Sequence, residues 1–179
     1  MRFPHLASAV IAAALLALLA GCGEGDDDTT MAPADFAITV DHADGSVPPP
    51  HHAVWRLEVD DTGQGVLVYT PDYPGPDVPT WRAEFDVAAT AADDLYAALR
   101  RHDLLGELEP ASDEPVGGPV ETATVTADRK THEIPAFTEA GAPLAPLERE
   151  IHALVPGRVW RDFEERRDAY AERSYGESP

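Results

Sequence analysis

Residues 80–106 read TWRAEFDVAATAADDLYAALRRHDLLG, and the change of period inside this stretch decides the fold. Trp81, Ala83, Phe85 and Val87 fall on one face while Arg82, Glu84 and Asp86 fall on the other, the two-residue period of a half-buried strand. From Thr90 onward Leu95, Tyr96 and Leu99 recur with helical spacing. Thr90-Ala91-Ala92-Asp93 has the form of a capping box, Arg100 and Arg101 suit the negative end of the helix dipole, and Leu105-Gly106 supplies a stop. A strand whose dry face needs cover, followed at once by an amphipathic helix, predicts an α+β layer with the helix lying on the sheet.

Working back towards the N-terminus, Phe36, Ile38 and Val40 alternate with small or polar residues. After the turn-rich DGSVPPP segment, Trp55, Leu57 and Val59 alternate with Arg56, Glu58 and Asp60. Turn residues 61–65 (DTGQG) lead into the β-branched run 66–70, which predicts a hairpin. Working forward, residues 107–119 are rich in Pro, Gly and acid and read as a loop. Residues 120–127 and 131–134 form a second hairpin, joined through Asp128-Arg129-Lys130. Two helices close the chain. The first covers residues 143–155 with Leu147, Ile151, Leu154 and Val155 on one side, and Pro156-Gly157 ends it. The second covers about 158–173, with Trp160, Phe163 and Tyr170 as its buried stripe. The expected architecture is an antiparallel sheet, a meander plus a second hairpin, with one inserted helix and two C-terminal helices on one face.

The chain of 179 residues carries a formal charge of -20, which repels phosphate backbones and argues against nucleic-acid binding. Cationic ligands and basic protein faces are the partners such a field attracts. Residues 6–19 form an apolar run too short for a stable bilayer span but suited to a signal h-region. It ends in Leu19-Ala20-Gly21-Cys22, which resembles the lipobox of bacterial lipoproteins. The resemblance implies cleavage before Cys22, lipidation of its thiol, and anchoring to a membrane in the cell envelope on the extracytoplasmic side. Such a lipid would consume the chain's single cysteine, so disulfides, a thiol nucleophile and Cys-type zinc sites are not expected. The organisation follows as a leader at 1–21, a flexible acidic tether at 22–34 and one domain at 35–175. The runs PPPHHAVWRLEVDDTGQGVLVY (48–69) and LVPGRVWRDFEERRDAY (154–170) also resemble small bacterial lipoprotein domains of unknown function, a resemblance that implies no activity.

Chemistry is sparsely signalled. Ser46, Ser112, Ser174 and Ser178 stand in loops or the tail, outside any Gly-x-Ser-x-Gly elbow, and Gly117-Gly118 lacks the residues of a P-loop. No cofactor is indicated. His42, Asp44 and His51, with Asp41 and His52 beside them, gather metal-type ligands ahead of a strand, although adjacent histidines in extended chain face opposite ways. The proline-rich loop 71–79 (PDYPGPDVP) suggests a stiff interaction surface, with Tyr73 at its tip and Asp72 and Asp77 drawing a basic partner. The reading that follows is a membrane-anchored, non-catalytic binding module for a basic protein or cationic ligand. The alternative is an envelope hydrolase using carboxylate or metal-assisted chemistry.

Overall fold

The computed structural model describes residues 31–113 and 117–176; the leader, Cys22 and the tether through residue 30 lie outside the described residues. Strands β1 (Ala37–Ala43), β2 (Ala53–Val59), β3 (Gln64–Pro71) and β4 (Trp81–Asp86) make the meander, and β5 (Val120–Ala127) with β6 (Lys130–Ile134) makes the second hairpin. All are antiparallel neighbours in one sheet of order β4-β3-β2-β1-β5-β6. The hairpin joins the meander at β1, so the chain crosses the sheet between β4 and β5, and helix α1 (Ala89–Arg101) lies in that connection.

The alternation read from sequence sorts the two faces. Ile38, Val40, Leu57, Val59, Leu67, Phe85, Ala123, Val125 and Ile134 are buried on one face. They form one core with Leu95 and Leu99 of α1, Ile151 and Leu154 of α2 (Glu148–Leu154), and Phe163 of α3 (Gly157–Tyr175). Each fully buried Leu or Phe contributes ~1.5–3 kcal/mol relative to exposure, so this single shared core holds the helices to the sheet. Arg56, Glu58, Arg82 and Glu84 on the other face are exposed and paired with one another across 2.7–3.0 Å. Gly65 has a specific reason to be glycine: a Cβ there would stand 2.3 Å from Cε2 of Phe85, the residue opposite it on β4.

Helix boundaries depart from the sequence reading at three places. Helix α1 begins at Ala89 with Ala88 as N-cap and no side-chain cap. Asp93 makes no capping box and accepts the Ala32 N–H at 2.8 Å instead. The helix stops at Arg101, before the expected Gly106, because Asp103 takes a left-handed conformation (φ 55°). Leu104 N–H then reaches Leu99 O and Asp103 N–H reaches Arg100 O, the Schellman closure that glycine usually serves. The expected helix at 143–155 is a 3-10 turn over Ala145–Leu147 followed by the shorter α2, since Pro146 has no N–H to carry a longer helix. Trp160 is half-buried, and Val159 takes the inward position beside it.

No helix among the described residues is long and apolar enough to cross a membrane.

Candidate functional site

Strand pairing lines up five residues across one end of the sheet. Glu121 on β5 stands opposite His42 on β1, His42 opposite Trp55 on β2, Trp55 opposite Tyr69 on β3, and Tyr69 opposite Trp81 on β4. All belong to the helix-facing side, one step beyond the aliphatic core, where aromatic rings replace aliphatic side chains beneath α2 and α3. Tyr69 and Trp81 stack at 5.8 Å, both against Phe163 of α3. Trp55, only 5% exposed, lies parallel to His42 at 4.7 Å and meets the edges of His152 and Trp160.

His42 is the one expected metal ligand at the centre of a polar cluster. Its Nε2 lies 3.2 Å from Asp44 Oδ1 and its Nδ1 lies 3.3 Å from Glu121 Oε1. A neutral imidazole donates from one nitrogen only, so two carboxylate partners favour the doubly protonated ring. Burial pulls its pKa down, but hydrogen bonds and charge from Glu121 and Asp44 outweigh burial and hold it above the usual 6.5.

The expected trio of His42, Asp44 and His51 does not assemble. After Ala43 the chain leaves the sheet and returns only at Ala53. The intervening loop carries His51 to α3, where its carbonyl accepts from Arg167 Nη2 at 2.9 Å and its side chain stays exposed. Among the described residues no group of three or more His, Cys, Asp or Glu side chains is arranged to hold a metal ion.

Beside His42 opens a cleft of about 160 Å³, lined by His42, Glu121, Leu144, Ala145, Glu148 and His152 among others. Glu148 and His152 are four apart on α2, which brings both to the same side of that helix. His152 stacks on Trp160 at 4.6 Å, and its carbonyl accepts the Trp160 indole N–H at 3.1 Å. The floor is thus an imidazole held between carboxylates, the outer wall carries a second carboxylate and imidazole, and Leu144 and Ala145 supply apolar cover. Such a site can accept charge-assisted hydrogen bonds from an ammonium or guanidinium group.

The proline-rich loop is built differently from its expected role. Asp72 is 3% exposed and takes a left-handed conformation (φ 92°). Its carboxylate accepts the Tyr73 N–H at 2.7 Å and the Tyr175 hydroxyl, and its own N–H donates to His52 O. Asp72 is therefore an internal tie between the loop and the end of α3, not a surface charge. The bond to Asp72 raises the pKa of Tyr175. Tyr73 remains 45% exposed, yet its ring stacks on buried His52 at 3.8 Å and its hydroxyl donates to Val47 O at 2.9 Å. It braces the neighbouring loop, and of the three residues only Asp77 stands as a free surface charge.

A larger depression, about 610 Å³, lies between the end of α1 and the β5–β6 hairpin. Arg100 and Lys130 there are balanced by Asp103 and Asp128, and Asp128 accepts the Tyr96 hydroxyl at 3.1 Å. With its fixed charges cancelling, it selects neither sign of ligand.

The chain matches no protein-family model and no curated protein.

Proposed function

We propose that this chain is a lipid-anchored protein of the cell envelope whose domain is a non-catalytic binding module, and that the cleft beside His42 receives a cationic group. The anchor reading rests on Leu19-Ala20-Gly21-Cys22 behind an apolar run of signal length. The ligand reading is carried by one observation: Glu121 and Glu148 line the same small, partly apolar cleft. The net charge of -20 adds a long-range field that draws cations towards it. A primary amine or a guanidinium, free or on a basic side chain of a partner protein, has the size and donor set to fill it.

Two measurements test this reading. Cys22→Ser should move the protein from the membrane to the soluble fraction, and undiminished detergent partitioning of that variant would contradict the anchor. Agmatine should bind the full chain in detergent and change the emission of Trp55 and Trp160, which stack on the lining residues His42 and His152. Glu121→Gln and Glu148→Gln should each weaken that binding about tenfold or more, since a charged hydrogen bond contributes roughly 1.5–3 kcal/mol. Unchanged affinity in both variants would place the cation elsewhere.

A further inference from the structure

Protonated His42 gives the cleft a cation of its own. Both ring nitrogens of His42 face carboxylates, Glu121 at 3.3 Å and Asp44 at 3.2 Å, and the ring is pinned in that orientation by its stack on Trp55. In this pose the imidazolium neutralises the charge that a ligand would need. The cleft is small, about 160 Å³, and His42 and Glu121 share its lining, so an incoming cation would have to sit beside the imidazolium and compete with it for Glu121. Like charges held this close disfavour each other strongly in a partly buried site.

We propose that cation uptake in this cleft is exchanged against the proton of His42, which leaves to solvent as the ligand enters. This rests on the reading of the cleft as a cation site and adds how that site is regulated. The imidazolium loses one proton to become imidazole, one ligand charge takes its place, and the net charge of the cluster is preserved. The groups facing His42 are Glu121 from β5 and Asp44 just beyond β1, with Trp55 of β2 beneath the ring. Glu148 and His152 of α2 stand across the cleft. The cleft presents two imidazoles, His42 and His152. Only His42 has carboxylates on both nitrogens.

The consequence is a site that fills as pH rises and empties as pH falls, with affinity changing by up to about tenfold per pH unit while His42 is mostly protonated. An envelope protein sees the pH of its surroundings directly, so the exchange would couple ligand retention to external acidity.

The test is calorimetric titration of the full chain in detergent with agmatine, whose guanidinium and amine stay charged across the pH range of the runs. Runs at each pH in two buffers of different ionisation heat count the protons released. The expected result is release approaching one proton per agmatine at the acid end of the range and falling as pH rises, with affinity rising in step. His42→Gln should bind with affinity nearly independent of pH and release no proton, whereas His152→Gln should keep the coupling. Binding without proton release in the wild-type chain, or coupling that survives in His42→Gln, overturns the exchange while leaving the cation site standing. No binding at any pH overturns both.

Discussion

The His42 imidazole lies flat on the Trp55 indole, ring centres 4.7 Å apart and planes within 5° of parallel. The contact fixes the ring between Glu121 and Asp44 and makes its protonation part of folding. Because the folded pKa is raised above 6.5, the protonated form is favoured by the fold. Its stabilising contribution is complete below the unfolded value and is lost as pH rises through the folded one. The denaturation midpoint should therefore fall as pH rises above about 6.5, by an amount that disappears in His42→Gln. Equal slopes in the two proteins would show that His42 is not protonated by the fold.

Phe85 and Gly65 test the edge of the sheet. Phe85 is 4% exposed and occupies the space above Gly65. Phe85→Ala should cost ~3–5 kcal/mol, and Gly65→Ala, which forces a methyl into the ring, ~1–3 kcal/mol. Both are read from denaturant midpoints. An unchanged midpoint in Phe85→Ala would mean that this face of β4 does not belong to the core.

Asp103 closes α1 in a conformation better suited to glycine. Asp103→Gly should raise stability by up to about 1 kcal/mol. A loss of stability would indicate that the aspartate side chain makes a compensating contact.

Asp72 ties the proline-rich loop to α3 through Tyr175. Asp72→Ala leaves the Tyr73 N–H and the Tyr175 hydroxyl without their partner and should cost ~1–3 kcal/mol. Tyr73→Ala uncovers buried His52 and removes their stack, which should lower stability by about 1 kcal/mol. Thermal midpoints equal to wild type in both variants would restore the loop to the role of a free binding surface.

The strands were legible because a two-residue period survives wherever one face is buried and the other is wet; residues 80–87 show it most cleanly. The ends of α1 were less legible, since Asp103 replaces the expected glycine and Asp93 is drawn to Ala32 instead of to the cap. The site was half legible. His42 and Asp44 are two residues apart and could be noticed together, whereas Glu121 comes 79 residues later and reaches His42 only through the β1–β5 register. His51 was misplaced for the converse reason: nearness in sequence put it with His42, while the loop from Asp44 to His52 carries it away. Glu148 and His152 carry no motif of their own, and only the packing of α2 over the sheet end turns them towards the cleft.

The central claim, that the cleft beside His42 receives a cation, is tested most directly by following the three indole N–H resonances of the full chain in detergent micelles during an agmatine titration. Trp55 and Trp160 stack on the lining residues His42 and His152, while Trp81 lies at the far end of the same cross-strand row and serves as an internal control. Saturable shifts at Trp55 and Trp160, with Trp81 unmoved and with the shifts lost in Glu121→Gln, are the expected result. Shifts confined to Trp81, or none at Trp55 and Trp160 up to millimolar agmatine, would contradict it.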